Sequence, residues 1–158
     1  MPTAAESPKK QRPYPWACHH CRKWEVFPAM IPYATEIKYD SILQPISIPA
    51  LAIARCQSCG EIVFSNDAQV QINAALRSRL RLLQPEEIRA ERVRLGITLA
   101  ELSDRLGVSE QVVSDWEEDI AIQPRVVDNL LRVYFALPEA RAILVGNQVD
   151  SQVGLLVG

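Results

Sequence analysis

The 158-residue sequence lacks a run of about eighteen apolar residues, the length that a membrane-spanning helix needs. Its first fifteen residues also lack an apolar core, and four prolines interrupt them. Residues 1–15 are therefore predicted to be a flexible tail and not a secretory signal, which places the protein in the cytoplasm. Cysteine is scarce as well, with four residues in all. In a reducing compartment, four paired cysteines favour metal ligands over disulfides.

A strongly basic surface is also missing from the second half of the chain. Residues 1–84 carry ten Lys and Arg against six Asp and Glu, a net charge of +4. Residues 85–141 carry seven Arg and twelve Asp and Glu, a net charge of −5. DNA affinity comes largely from the neutralisation of phosphates, so charge alone does not predict a DNA-binding surface there.

Two Cys-x-x-Cys pairs enclose the first half of the chain. Four thiolates form the closed tetrahedral shell of a structural zinc site, and a domain of roughly 50 residues usually needs such a staple. We therefore predict that Zn²⁺ is held by Cys18, Cys21, Cys56 and Cys59. His19 and His20 lie inside the first pair and are expected to be exposed bystanders. Because four protein ligands leave no position for water or substrate, the sequence predicts a protein that is not an enzyme; a zinc enzyme is a distant alternative.

Residues 16–64 are predicted to form this small zinc-stapled, β-rich domain. The segment from Glu36 to Asp40 alternates polar and apolar residues, as a half-buried strand does. Four prolines interrupt residues 16–64, namely Pro28, Pro32, Pro45 and Pro49. They indicate strands that are short or lie at sheet edges.

The rest of the chain is predicted to be helical, which makes the fold class α+β. Residues 65–84 form a linker helix over 66–83, capped by Ser65 or Asn66. Residues 85–145 form an all-α domain of five helices, and residues 146–158 form a C-terminal tail. Several local signals place the helix ends: the capping box of Thr98 and Glu101, the stop at Gly107, the cap at Ser109, and Pro124 and Pro138 at later starts.

The segment from Gly96 to Glu117 holds one connected apolar set on both sides of Gly107: Leu99, Leu102, Leu106, Val108, Val113 and Trp116. It resembles the repressor-type (XRE) helix-turn-helix family that includes the phage Cro and lambda repressors. The resemblance covers residues 86 to about 137. It implies that the helix after Ser109 enters the major groove of double-stranded DNA.

This resemblance supplies candidate DNA contacts: Thr98, Ser109, Gln111, Ser114, Asp115, Arg94 and Arg125. Gln111 is the expected adenine reader, and Asp115 or Glu110 could accept a hydrogen bond from cytosine. The sequence departs from the family where Asp115 replaces a common base-reading Arg and Leu99 replaces a Gln. Further candidates for phosphate contacts are Arg92 and the basic residues Lys9, Lys10, Arg12, Arg77, Arg79 and Arg81, although the last three fit a solvated helix face equally well.

The order of motifs along the whole chain indicates a particular family more specifically than the cysteine pairs or the helix-turn-helix do alone. This order resembles the MqsA antitoxin family. It consists of a Cys-x-x-Cys pair, strands, Ile48-Pro49-Ala50, the segment Arg55 to Glu61 and a helix leading to Pro85. In that family a YgiT-type zinc finger precedes a repressor-type domain. The resemblance implies that the zinc half binds a ribonuclease toxin, and that the helical half forms a homodimer and represses its own operon.

Two functions follow from the sequence. The first is a DNA-binding transcriptional regulator, an antitoxin-like autorepressor with structural zinc. The second is a protein-interaction adaptor whose helix-turn-helix no longer reads DNA and whose acidic residues contact a basic partner, through Glu110, Asp115, Glu117, Glu118 and Asp119.

Overall fold

The computed structural model describes residues 12–146. The predictions for Lys9, Lys10 and the tail after Gly146 lie outside the described residues. Within the described part of the chain, no helix is both long enough and apolar enough to cross a membrane.

Three antiparallel strands form the sheet, in the order β1 (Val26–Tyr39), β2 (Ile42–Cys56) and β3 (Ile62–Val63). Beyond Val26, the side chains of β1 alternate strictly between exposed and half-buried, which confirms the alternation predicted from Glu36 to Asp40. The turn between β1 and β2 consists of Asp40 and Ser41, with φ values of 46° and 69°. Two residues with positive φ are typical of the hairpin turn that matches the twist of the strands.

The strands are longer than the prolines predicted, with 14 residues in β1 and 15 in β2. The prolines predicted strands that are short or lie at edges, and edge positions are the alternative that the structure shows. Strand β1 is at an edge of the sheet. Strand β3 pairs only with Ala54 and Arg55 of β2, so Pro45 and Pro49 lie where β2 has one unpaired side. A proline there removes no ladder hydrogen bond if its nitrogen faces that side.

Six helices follow: α1 (Asn66–Leu80), α2 (Pro85–Arg94), α3 (Leu99–Leu106), α4 (Glu110–Glu117), α5 (Arg125–Ala136) and α6 (Pro138–Gly146). The Oγ of Ser65 accepts a hydrogen bond from the backbone of Ala68 at 3.3 Å, as the predicted cap of α1. This helix ends three residues before the predicted end because Arg81 adopts a φ of 54°. The α+β fold class is confirmed.

The predicted ends of α3 and α4 are confirmed in atomic detail. Thr98 Oγ1 accepts from the backbone of Glu101 at 3.1 Å, and the Glu101 carboxylate accepts from the backbone of Thr98 at 2.7 Å. Gly107 ends α3 with a φ of 72°, in the left-handed region where glycine costs least. Ser109 then caps α4 through the backbone N–H of Val112.

The helices α2 to α6 enclose one apolar core. Its buried members are Ile88, Leu102, Val113, Trp116, Leu131, Tyr134 and Phe135. Three members of the apolar set predicted from the sequence are therefore buried. The other three pack around them half-buried, namely Leu99, Leu106 and Val108.

The chain forms two compact units, and each unit consists of two segments that are separate in the sequence. Within the described residues, the first unit comprises 12–34 and 47–72. The second comprises the hairpin tip, residues 35–46, together with residues 73–146. The domain boundaries predicted at residues 15, 64, 84 and 145 concern segments that fold independently, and they remain predictions.

Candidate functional site

The four cysteines form one cluster in the first unit. Their sulfur atoms all lie within 4.8 Å of one another, and two cross-pairs are closer: 3.6 Å separates Cys18 from Cys59, and Cys21 from Cys56. Cys18 and Cys56 are buried, whereas Cys59 is exposed. These four side chains could hold a metal ion, with one sulfur ligand from each residue. His19 and His20 are exposed and are not part of the cluster.

The two Cys-x-x-Cys turns have the same backbone hydrogen-bonding pattern and similar φ values. Arg22 donates its N–H to the carbonyl of Cys18 at 3.0 Å, and Gly60 donates to the carbonyl of Cys56 at 2.9 Å. Both residues lie in the left-handed region, with φ values of 64° for Arg22 and 79° for Gly60. The first turn therefore matches the second although it lacks the glycine, and Arg22 carries the steric cost of the conformation.

The thiol chemistry favours a cation at this position. Hydrogen bonding from the backbone of Cys59 lowers the pKa of Cys56 to about 7. The backbone of Glu61 favours the thiolate of Cys59, but desolvation and the neighbouring sulfur atoms outweigh it and raise the pKa of Cys59 to about 12. One thiolate therefore forms easily and disfavours the next, because like charges this close repel. A bound cation would remove that repulsion and stabilise all four thiolates.

The second candidate site is the outer side of α3 and α4. Thr98 and Ser109 are exposed at the starts of these helices, where both side chains act as caps. Gln111 is exposed near the start of α4, and its Nε2 donates to Asp115 Oδ1 at 2.8 Å. Ser114 is half-buried and donates to Glu118 Oε1 at 3.1 Å. The structure thus brings four of the predicted DNA contacts onto α4 and its cap, and Thr98 caps the preceding helix.

The acidic charge at the end of α4 is largely neutralised within the protein. Glu117 is buried and accepts hydrogen bonds from Arg92 at 2.6 and 2.9 Å and from Arg89 at 3.3 Å. The hydrogen bond to Glu117 raises the pKa of Arg92 above its ordinary value. The prediction that Arg92 holds a phosphate is therefore wrong, because its guanidinium binds Glu117 and only 15% of its side chain is exposed.

A second buried ion pair belongs to the same unit. Arg77 of α1 is fully buried, and its guanidinium donates to the carboxylate of Asp119 and to the carbonyl of Ala121 at 2.9 Å. The two predictions for Arg77, a solvated helix face or a phosphate contact, are both wrong. Arg79 and Arg81 are exposed. The acidic surface predicted for the adaptor function also loses Glu117 and Asp119, since both carboxylates bind arginines inside the second unit.

Two further candidate arginines contact different ends of α5. Arg94, the last residue of α2, reaches its C-terminal end, and Arg125 is its first residue. Arg94 donates to the carbonyl of Phe135 at 3.0 Å and to Glu91. The guanidinium of Arg125 donates to the carbonyl of Leu80. Ten residues of helix separate Phe135 from Arg125, which corresponds to about 15 Å. The structure therefore does not bring these two arginines together.

The hairpin tip supplies contacts to the start of α5 that the sequence did not indicate. Tyr39 Oη donates to the carbonyl of Gln123 at 2.8 Å, and Asp40 Oδ2 accepts from the backbone of Arg125 at 2.8 Å. Gln123 itself is fully buried, and its Nε2 donates to Leu83 and to Asp128. No periodicity or motif links residues 39 and 40 to residues that follow 84 and 85 positions later.

The comparison with known families agrees with this geometry. A helix-turn-helix family model matches residues 88–139, from α2 to the start of α6. The segment therefore has the helix-turn-helix arrangement that the family model describes. No curated protein matches the chain. The helix-turn-helix domain points to a DNA-binding regulator, and the cysteine cluster accompanies it in the same chain.

Proposed function

We propose that this protein is a DNA-binding transcriptional regulator, an antitoxin-like autorepressor with a structural zinc ion. The observation that carries the proposal is the match of residues 88–139 to the helix-turn-helix family, together with a capped α4 whose outer side is open. The neutralisation of Glu117 and Asp119 supports it further, because the approach of a phosphate is opposed by fewer free carboxylates than the sequence indicates.

The side chains on the outer side of α4 suggest which base edges they would read. Gln111 uses one amide N–H for Asp115, which leaves its carbonyl oxygen able to accept. Asp115 adds carboxylate oxygens as acceptors. In the major groove, adenine N6 and cytosine N4 are the amino donors. We therefore propose that the Gln111–Asp115 pair reads an amino group of adenine or cytosine, with phosphate contacts from Thr98, Ser109, Arg94 and Arg125. Ser114, whose hydroxyl donates to Glu118, would lie beside this pair on α4.

The spacing of the four sulfur atoms supports zinc as the metal. With Zn–S bonds of about 2.3 Å, a regular tetrahedron has edges of about 3.8 Å between sulfur atoms. The two cross-pairs, at 3.6 Å, are close to this length. Cys18, Cys21, Cys56 and Cys59 would hold the ion, which would neutralise their thiolates and stabilise the two turns. The role proposed for the metal is structural.

An apolar stripe on α5 supports a homodimer. Val126 is 74% exposed, Val133 is 45% exposed, and Leu137 directly after the helix is 49% exposed. Val126 and Val133 are seven residues apart and share one side of the helix. We propose that two copies meet through this stripe and place two α4 helices on the half-sites of a palindrome. The proposed partner of the zinc half is a protein, of the ribonuclease toxin class.

The experiment that tests DNA recognition is a fluorescence-anisotropy titration of the full chain. The ligands are the DNA upstream of its own gene and a scrambled duplex of the same composition, each at several salt concentrations. Tighter and salt-dependent binding to the native duplex is the expected result. Equal and weak binding to both duplexes would favour the adaptor function.

A matched pair of variants tests whether α4 recognises the bases. Gln111→Ala should cost about 1–3 kcal/mol of binding free energy and relax the preference at one base position. Gln69→Ala, which removes an exposed amide from α1, should leave both unchanged. If the two variants bind alike, Gln111 does not read a base.

A further inference from the structure

The start of α5 has no local side-chain cap. Its N-cap residue is Pro124, which has no side-chain oxygen to accept a hydrogen bond from the first backbone N–H groups. Asp40 supplies this acceptor from the hairpin turn, because its Oδ2 lies 2.8 Å from the backbone nitrogen of Arg125. A carboxylate at a helix N-terminus is also favoured by the helix dipole. The hairpin turn thus completes a helix of the DNA-binding unit.

Tyr39 holds the segment just before α5. Its hydroxyl donates to the carbonyl of Gln123, while the buried side chain of Gln123 is tied to Leu83 and Asp128. Desolvation and the nearby Asp40 raise the pKa of Tyr39 to about 12, so the phenol stays protonated and able to donate. Tyr39 and Asp40 therefore fix the connection that runs from α4, the proposed reading helix, to Arg125.

The strands that carry this turn begin and end at the cysteine cluster. Strand β2 ends at Cys56, itself a candidate ligand, and β1 begins at Val26. The buried apolar cluster at that end consists of Cys18, Val26, Ala54 and Cys56, so half of its buried members are candidate ligands. An isolated two-stranded hairpin is only marginally stable in water. Metal binding at the cysteines would therefore add to the order of β1 and β2, which the pairing with β3 and the buried Leu51 and Ile53 of β2 also support.

We propose that Tyr39 and Asp40 form a metal-dependent clamp, through which metal binding at the four cysteines strengthens DNA binding by the helix-turn-helix. The inference rests on the proposed metal site and on the proposed DNA binding. Metal binding orders β1 and β2, the ordered turn caps α5, and the capped helix holds Arg125 and the connection to α4 in place. Tyr39 and Asp40 are positioning residues, since neither is proposed to touch DNA.

The test compares DNA affinity with and without metal in three full-length proteins. These are the wild type, the double variant Tyr39→Phe/Asp40→Gly, which removes the acceptor and tolerates the positive φ at position 40, and the control Glu36→Gln. The control removes the charge of an exposed acid on β1. Each protein is titrated with its upstream DNA after saturation with Zn²⁺ and again after chelation. We expect chelation to weaken binding about tenfold in the wild type and in the control, a coupling of ordinary size. The double variant should already bind weakly with Zn²⁺ and should lose less than about threefold on chelation.

Three outcomes would overturn the clamp: an equal loss in all three proteins, no loss in the wild type, or tighter binding by the double variant. The last would make Asp40 a competitor of the phosphates. Absorbance titration with Co²⁺ shows separately whether the cysteines bind metal, and its failure would remove the metal site itself. If the wild type does not distinguish its DNA from a scrambled duplex, the proposed function fails on its own. The clamp is then decided by amide hydrogen exchange at residues 125–128, which Zn²⁺ must slow in the wild type and not in the double variant.

Discussion

Arg92 donates two hydrogen bonds to the carboxylate of Glu117, from Nε to Oε1 at 2.6 Å and from Nη2 to Oε2 at 2.9 Å. Both side chains are largely withdrawn from water, with 15% of Arg92 and 2% of Glu117 exposed. A planar guanidinium facing a planar carboxylate in this way fixes direction as well as distance. The pair therefore sets how the end of α4 sits against α2.

Removing one charge of this pair should destabilise the helical domain. Glu117→Gln leaves the guanidinium of Arg92 without its counter-ion, and losing one partner of a buried pair costs about 3–5 kcal/mol. Urea unfolding followed by circular dichroism measures the loss. Glu118→Gln changes the adjacent exposed acid and should stay within about 0.5 kcal/mol of the wild type. Similar effects of the two substitutions would mean that the Arg92–Glu117 pair does not stabilise the fold.

Replacing Arg22 with glycine should stabilise the first cysteine turn. Arg22 adopts a φ of 64°, a conformation that costs a residue with a side chain about 1 kcal/mol more than glycine. The melting temperature of the zinc-loaded protein should therefore rise with Arg22→Gly. Lys23→Gly is the control, because its φ is not in the left-handed region and the added freedom of glycine should lower stability. A lower melting temperature for Arg22→Gly would contradict the prediction.

Acid should weaken the second unit through Asp128. Burial opposes the ionisation of this carboxyl group, but hydrogen bonds from Arg132, the backbone of Leu83 and Gln123 outweigh it, so its pKa lies below the ordinary value of 3.8. A lowered pKa in the folded state adds stability above pH 3.8, and this stability is lost as the pH falls through the folded value. Unfolding free energies measured across this range should therefore fall more steeply for the wild type than for Asp128→Asn. Parallel curves would remove Asp128 as a cause.

The phenol of Tyr39 should ionise at a higher pH than that of an ordinary tyrosine. Its pKa is raised from 10.0 to about 12, so the stabilisation is complete below pH 10 and is lost as the pH rises through 12. Ultraviolet absorbance should show one late tyrosine transition, and Tyr39→Phe should abolish it. Tyr14→Phe, which removes an exposed phenol, should leave that late transition in place. A late transition that survives Tyr39→Phe belongs to another residue.

Local signals in the sequence were sufficient to place the helices of the helix-turn-helix segment. The capping box at Thr98 and the left-handed Gly107 act over three or four residues, so the sequence displays them directly. The two Cys-x-x-Cys pairs could also be predicted as turns, because the hydrogen bonds of each turn join residues four or five positions apart.

Contacts between distant residues were not predictable in this way. Arg77 reads as one of several arginines on a helix, and nothing nearby indicates that its partner is Asp119, 42 positions later. The same is true of the burial of Glu117, which sits in an acidic run that reads as exposed. Burial of a charge depends on which element covers it, and that is a property of the assembled fold.

The hairpin tip also bears on the order in which the molecule can be assembled during synthesis. Residues 35–46 leave the ribosome well before Arg125, the residue whose backbone Asp40 binds. The second unit therefore cannot be completed until a late part of the chain meets an early one. A fragment that begins at residue 73 contains every helix-turn-helix residue and still lacks the acceptor for the start of α5.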